Sequence, residues 1–589
     1  MAEKTPSMLA SEADLGEVRS QQDGTVAEGG LQKSLKDRHL SMIALGGALG
    51  TGLLVGTGSA LAKTGPAGIF IDFSVIGLTV FCVMAALGEM LSFAPMASGF
   101  GGYATRFVDP ALGFATGYAY LFKYLLATPN QMAATALIME VSDDPETHSP
   151  LRQQFPASLY AHELSSNIIS PFQFWTQDRI NPAVWISIVL VLIIIVNFCG
   201  VKVFGEMEFW VSSLKVIILT GVILIMLILA CGGGPTHDVK GFKYWSDPGA
   251  FAEYKVKGDV GKFTGVWSTM IQAVYAFGGT ELVGVTVAEA KNPRIAMPKA
   301  VKMTFFRIAF FYIVSVFLLG MVVPYNSPEL AFALTAKTSA AASPFVVAIT
   351  NAKIRGLDHV INASLLIFVV SSAVSDLYIS TRTLYGIACD GKAPKILTRT
   401  TKLGVPYVAM IIPLAFTCLS YMSVQAGAKQ VFNYLTNMVA IFGMLTWIGI
   451  LVSHVGFIKA TKAQQIPDDR FPYRSPFGLV GSYIALAFLS ILILTKSFDV
   501  FVGGFDYKGF IVGYIGLPVY LTLLFGYKFW CGTKRVKNSE ADLVTGVPTT
   551  SFAEERALHE AEMRERAKHQ TGVARVIGQV YRRTLAWLF

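Results

Sequence analysis

The chain has 589 residues, of which 53% are hydrophobic and only 15% charged, with a mean hydropathy of +0.52. Soluble domains carry about 25% charged residues and about 45–50% apolar ones, so several soluble domains of this composition could not cover themselves with a polar surface, and an ordinary soluble enzyme is excluded. The net charge of +9 would suit a nucleic-acid binder only if it formed one basic face. Here the basic residues sit in short segments between apolar stretches, as in cytoplasmic loops, so no nucleic-acid partner is expected.

Residues 1–38 are polar and lack the apolar core of a signal peptide, so the first apolar stretch is expected to direct insertion. Twelve apolar windows follow, at about 40–62, 68–94, 110–140, 183–200, 208–231, 265–290, 303–324, 357–388, 404–423, 431–457, 478–498 and 509–530. About 20 apolar residues cross a hydrocarbon core roughly 30 Å thick. Unbroken runs such as Ile188 to Val196 exclude a membrane β-barrel, whose strands alternate. The expected fold is therefore all-α and polytopic, with twelve transmembrane helices.

An even number of spans puts both termini on one side. Lys291, Arg294, Lys299, Lys302 and Arg307 follow the sixth span, Lys392, Lys395, Arg399 and Lys402 the eighth, and Lys459, Lys462, Arg470 and Arg474 the tenth. Basic loops stay inside, so both termini are expected in the cytoplasm, and 141–180, 232–264 and 325–356 outside as loops. The domain reading is a tail at 1–38, a twelve-helix membrane domain at 39–530 and a second tail at 531–589.

Two spans differ from the rest. The first reads GALGTGLLVGTG from Gly47 to Gly58, and the sixth reads FGGTELVG from Phe277 to Gly284. Each glycine weakens a helix by roughly 1 kcal/mol relative to alanine, and freed backbone groups are tolerated in a membrane only where they line a buried cavity. Breaks in the first span of each of two five-helix sets are the signature of an inverted-repeat transporter. The alternative is that the glycines serve close helix packing.

Six cysteines (Cys82, Cys199, Cys231, Cys389, Cys418, Cys531) lie in or beside apolar segments without a CxxC pair, so no disulfide framework and no metal site is indicated. They read as packing residues, with Cys531 also a candidate for palmitoylation just after the last span. No phosphate-binding glycine loop followed by Lys-Ser or Lys-Thr occurs, so ATP is not the energy source. Nor do His, Cys or paired carboxylates gather as an enzyme site requires, and no cofactor is expected.

The segments LKDRHLSMIALGGALGTGLLVGTG (35–58), TGPAG (64–68), VDPALGF (108–114), NFCGVKVFGEMEFW (197–210), FGGTELVGVTVAEAKNPR (277–294), STRTLYGIA (380–388) and RFPYRSPFG (470–478) together resemble the fungal amino-acid permeases of the amino acid–polyamine–organocation superfamily. The resemblance covers nearly the whole chain. It implies a five-plus-five inverted repeat plus two helices at the plasma membrane, with amino-acid uptake coupled to proton entry.

An amino acid presents a carboxylate and an ammonium, and a broken helix can meet both from its backbone. The amides at Gly50, Thr51 and Gly52 face the carboxylate, at the positive end of a half-helix. The carbonyls around Phe277, Gly278 and Gly279 accept from the ammonium. The Phe277 ring is expected to gate the site, with a core aromatic as the alternative. Glu281 is an acid inside a span, where burial penalises the charged form, and it is assigned to proton coupling. The alternative is a helix-end acid paired with a cytoplasmic lysine.

Lys123 sits deep in the third span, too far from either end to snorkel. Many general and basic permeases that resemble this chain have an acid near the position of Asn130 or Gln131, which is absent here. The text resembles the branch that takes glutamate and aspartate. Lys123 either complements a second substrate carboxylate or takes the place of a bound cation, compensating Glu281 or another acid. Ser372 and Ser375 are candidates to line the cavity, against bonding to their own helix backbone. Glu89 and the Glu206–Glu208 pair are read as structural residues near cytoplasmic ends, and His454 as interfacial.

The functional expectation is a proton symporter favouring glutamate and aspartate, with a broad or neutral amino-acid permease and a transporter-like sensor as alternatives. Partners beyond substrate, protons and membrane lipid are ubiquitin-ligase adaptors at the tails, where Lys4 and Lys33 are exposed-lysine candidates. The basic amphipathic segment 573–589 is expected to lie on the anionic inner leaflet. The segment 141–173 departs from the resemblance and reads as an extracellular insertion or as a retained intron that preserves frame.

Overall fold

The computed structural model describes residues 42, 46–96, 99–139, 181–282, 284, 293–328, 330, 343–354, 356–426, 428–547, 552, 554–557, 560 and 561. Among them every regular element is helical. Hydrocarbon offers the backbone no hydrogen-bond partners, so long apolar runs close their N–H and C=O groups within each helix. In chain order these are α1 (Thr57–Phe93), α2 (Gly99–Phe107), α3 (Pro110–Met139), α4 (Pro182–Phe198), α5 (Val201–Ala230), α6 (Asp259–Phe277) and α7 (Pro293–Val322). There follow α8 (Pro344–Asn351), α9 (Leu357–Cys389), α10 (Tyr407–Thr417), α11 (Ala428–Ala463), α12 (Gly478–Thr495), α13 (Tyr507–Tyr514) and α14 (Gly516–Cys531). Segment 141–173, the first tail, Lys4, Lys33 and segment 573–589 lie outside the described residues.

Seven helical stretches among the described residues are long and apolar enough to cross a membrane, and Ala183–Phe198 and Tyr407–Met422 are shorter apolar helices. The longest, Gly46–Phe93, has 48 residues, roughly 72 Å at 1.5 Å per residue and more than twice a core of about 30 Å. It is divided at Gly65, whose φ of +78° breaks the helix before Pro66. A Cβ on Gly65 would lie 2.8 Å from the Ala250 carbonyl oxygen, and the Ala67 amide donates to that same oxygen. Glycine therefore lets the turn dock on the 250–252 loop.

The core forms where α3 packs against α9 and α11, and α1 against α6 and α7. Outward, α4 carries Ile188, Val191 and Ile195, α5 carries Ile217 and Leu224, and α12 carries Ile484 and Ile491, all exposed. These follow the helical repeat and form stripes that water would not tolerate. Their solvent is lipid, and the protein is a multi-pass membrane protein.

Two expectations are corrected here. Five of the six cysteines, Cys199, Cys231, Cys389, Cys418 and Cys531, are exposed and only Cys82 is half-buried, so they do not fill the core; they lie on outward helix faces and ends. Within 325–356, read as a loop, the apolar run from Pro344 forms α8, which buries six residues.

Beyond α14 the chain folds back over the ends of α2, α3 and α11. Asp109, at the start of α3, accepts from Lys528 Nζ (2.6 Å) and Thr533 Oγ1 (2.9 Å), and the Val536 amide donates to the Val108 carbonyl (2.8 Å). Arg106 pairs with Asp542 (3.2 Å), and Gln464 on the descending end of α11 donates to the Ala541 carbonyl (2.7 Å). Ala541 and Leu543, within this strap, are buried.

Candidate functional site

The two glycine clusters meet. α6 stops at Phe277, Gly278 is extended (φ −60°, ψ 134°) and Gly279 has φ +103°, before a single 3₁₀ turn at Thr280–Leu282. The facing strand of chain bends at Leu49 and Gly50 and winds through a π-helical turn, Gly52–Gly56, into α1. A Cβ on Gly52 would lie 2.4 Å from the Ala276 Cα, and one on Gly279 would lie 2.9 Å from the Gly47 carbonyl oxygen. These contacts are backbone on backbone, which any side chain would prevent. The Tyr312 hydroxyl on α7 ties the crossing, lying 2.6 Å from the Ala48 carbonyl oxygen and 2.9 Å from that of Ala276.

At the crossing is a cavity of about 30 Å³, room for one or two waters. Gly50, Thr51 and Gly52 line one side and Gly278 and Gly279 another; Lys123, Gln131 and Asp376 complete the wall. Expected binding residues from three separate stretches of sequence are thus brought to one place.

Phe277 is the exception. Its ring is fully buried against Tyr312 (centroids 4.9 Å) and Phe73 (6.0 Å), and its tip faces Gly77. It does not line the cavity, and the gate expected of it is corrected to a core aromatic, because α6 is still helical at that residue and turns it toward α1. The cavity-side ring on α6 is Tyr275.

Lys123 and Glu281 form an ion pair, 2% and 0% exposed. Glu281 also accepts from Trp447 Nε1 on α11 (3.2 Å) and the Gly279 amide (3.3 Å), and the Tyr124 hydroxyl is 3.4 Å away. The Lys123 ammonium stands 4.9 Å from the centre of the Tyr124 ring. Two charges are tolerated in so dry a place only with such compensation. The lysine that partners Glu281 comes from mid-membrane on α3, not from a cytoplasmic helix end.

Among the described residues Ser372 and Ser375 make no bond to their own helix backbone, whereas Ser380 and Thr381 on the same helix bond back to it. Ser372 Oγ stands 3.1 Å from the position of a Cβ on Gly50, behind the cavity wall. Cys531 ends α14 at the surface.

Other buried polar groups were not anticipated. Glu208, fully buried, accepts from Ser212 (2.9 Å) and Ser371 (3.0 Å), and Lys215 Nζ donates to the Gly46 carbonyl (2.7 Å), just before the first glycine cluster. Solvation is not available to Glu208 as the end-of-helix reading assumed. The spacing 208, 212, 215 is a polar stripe on one face of an otherwise apolar helix, a signal that was there to read. His454 is corrected from interfacial to fully buried, between Glu89 (3.0 Å) and Ser482 (2.8 Å). Asp376, Gln131, Thr51, Tyr275 and Asn130 form a hydrogen-bonded chain across four helices, with no local signal in any one segment.

Two backbone breaks that meet beside buried polar groups in a membrane protein fit a transporter. Comparison with known proteins agrees. The family model described as Amino acid permease matches residues 39–149 and 161–540. The chain is 47% identical over 551 residues to the dicarboxylic amino acid permease of Saccharomyces cerevisiae, covering 93% of this chain and 85% of that one. It is 37% identical to the proline-specific permease of Emericella nidulans (87% of this chain, 88% of that one) and 35% identical to the lysine-specific permease of S. cerevisiae (89% and 79%). A helical membrane architecture, a buried crossing of two backbone breaks and a match along nearly the full length lead to one conclusion: the chain belongs to the amino acid permease family, and is a transporter rather than an enzyme.

Proposed function

We propose that this permease imports amino acids across the plasma membrane by proton symport and prefers glutamate and aspartate. The observation that carries the preference is Lys123, a cation reaching the cavity from mid-membrane. A relative 47% identical is named for dicarboxylic amino acids, which supports the same reading. The α-carboxylate would rest on the amides of Gly50, Thr51 and Gly52, and the ammonium on carbonyls of the 277–279 stretch.

The second carboxylate then competes with Glu281 for Lys123. When the substrate takes the lysine, Glu281 loses its counterion in a dry site and takes a proton instead. The proton comes from outside and is released inside when the substrate leaves and the pair re-forms. Coupling thus follows from one cation serving two anions in turn.

The architecture of this reading is twelve spans in a five-plus-five inverted repeat plus two, broken in the first and sixth, within residues 39–530. Alternating access would rock one bundle against the other around the crossing. Both tails would be cytoplasmic and open to ubiquitin-ligase adaptors, with Cys531 available for palmitoylation. Segment 141–173 would be an outer loop or an intron left in the reading, which sequencing of mature transcripts separates.

One observation favours a second reading, a broad or neutral amino-acid permease: Lys123 already has a partner in Glu281. Competition uptake in permease-deficient cells separates the two. Radiolabelled glutamate is expected to be displaced by excess aspartate and not by leucine or lysine, and to enter faster at acidic external pH. Equal displacement by leucine would refute the preference, and uptake blind to the proton gradient would refute the coupling.

A further inference from the structure

The hydrogen bonds beside the cavity run in one direction. Asn130 Nδ2 donates to the Tyr275 hydroxyl (2.8 Å), Tyr275 Oη lies 2.8 Å from Thr51 Oγ1, Thr51 donates to Gln131 Oε1 (3.0 Å), and Gln131 Nε2 donates to Asp376 Oδ2 (3.3 Å). A threonine hydroxyl has one proton. Thr51 gives it to Gln131, so Tyr275 is the donor to Thr51. Every donor in this buried chain points toward the Asp376 carboxylate.

Asp376 lines the cavity itself, and one turn earlier on α9 Ser372 rests against Gly50. It therefore shares a wall with the Gly50–Gly52 stretch, whose amides would receive a carboxylate. Its titratable and charged neighbours among the described residues are Lys123, Tyr120 and Tyr124 on α3, Glu208 and Lys215 on α5, and Tyr275 on α6. Lys123 is paired with Glu281, and Lys215 stands near both Glu208 and Asp376, so among the described residues three carboxylates share two lysines. A substrate carboxylate arriving next to it would place two anions in one dry cavity, where like charges exclude one another.

We propose that Asp376 is a second proton-coupling residue, protonated from the outer solution as the substrate carboxylate settles on the Gly50–Gly52 amides and deprotonated to the inside when the substrate leaves. This rests on the proton-symport reading above and adds to it a group other than Glu281. One proton is added to one carboxylate oxygen; no other bond is made or broken. The new O–H donates to Gln131, whose amide turns over so that Oε1 faces Asp376 and Nε2 faces Thr51. Thr51 then accepts from Gln131 as well as from Tyr275, and its own O–H is free to donate to the substrate. Protonation thus converts Thr51 from a donor to the protein into a donor to the substrate, and the two bindings favour each other by linkage.

Asp376→Asn reproduces the neutral form. The test measures glutamate KM against external pH and the charge moved per glutamate, by flux and current on the full chain. Relative to wild type, Asp376→Asn is expected to move one elementary charge less per glutamate and to lose up to a tenfold rise in KM per pH unit. Asp376→Glu is expected to restore both. The same charge per glutamate in a transporting Asp376→Asn protein overturns the proposal, as does a KM raised equally at every pH, which would make Asp376 an ammonium partner. If Asp376→Asn does not reach the membrane, Gln131→Met cuts the chain instead: a flatter KM profile with unchanged charge per glutamate supports the switch, and an unaltered profile overturns it. A wild type that ignores pH and carries no current would fail the symport reading itself, whereas a coupled wild type matched by Asp376→Asn fails only the role of Asp376.

Discussion

The cavity and the C-terminal strap both join distant parts of the chain through charged side chains, and they differ in what solvent does for them. Lys123 and Glu281 are dry, with every partner supplied by protein. In the strap, the Lys528 and Asp542 side chains are 41% and 45% exposed, while their partners Asp109 and Arg106 are nearly covered. A pair without water holds each charge only through the other, so removing one partner is severe. A pair reached by water loses little, because water replaces what is removed. The same residue types therefore act as an obligatory partnership in one region and as an adjustable clasp in the other.

The comparison is most directly broken at the pair. Lys123→Met or Glu281→Gln alone is expected to cost about 3–5 kcal/mol of stability, read as loss of detergent-stable, surface-delivered protein. The double variant, neutral on both sides, is expected to recover much of the protein while losing the preference for glutamate over leucine. A double variant as unstable as the singles would show that packing, not charge, governs the site.

A smaller effect is expected at the crossing. Gly279→Ala adds a side chain at φ +103°, against the Gly47 carbonyl, and should cost about 1–3 kcal/mol, read as a lower melting temperature and slower transport at normal expression.

The clasp should respond least. Arg106→Gln is expected to change stability by about 0.2–1 kcal/mol and to raise protease cleavage of residues 532–547, more so at low salt than at high salt. Its pH dependence has a defined sign. Burial works against the charged form of Asp109, but the hydrogen bond from Lys528, the Ala111 amide and Thr533 together hold its carboxyl below the usual range. A depressed folded value means that this contribution is complete above the ordinary carboxylate range and fades only as pH falls through the lower one. Protease sensitivity of the strap should therefore be the same at pH 7 and pH 5 and rise below about pH 4. A rise already at pH 6 would mean that another group holds the strap.

Much of the candidate site was legible because its parts carry local signals. The glycine clusters at 47–58 and 277–284, Lys123 within an apolar run and Glu281 beside a break each stand out against their neighbours. What escaped was direction and partnership. Phe277 sits in the glycine-rich text, yet one more helical residue turns its ring into the core. Lys123 and Glu281 are 158 residues apart, and a spacing of that size carries no periodic signal. Ser372 and Ser375 left two readings open in the sequence, and only the packing of α9 brings Ser372 against Gly50 instead of bonding it back as Ser380 is.

By itself, then, the sequence determined that this protein lives in a membrane, that its backbone is helical, and where two of its helices are weakened. Those outcomes follow from composition and local propensity, which act over a few residues. Only the tertiary structure decided that the weakened backbones touch, that Lys123 is answered by Glu281, and that Asp376 ends a chain of donors drawn from three other helices. Burial and pairing of charge depend on what the rest of the fold brings within a few ångströms, and in a dry interior that choice sets whether a charge is a partner, a cost or a place for a proton.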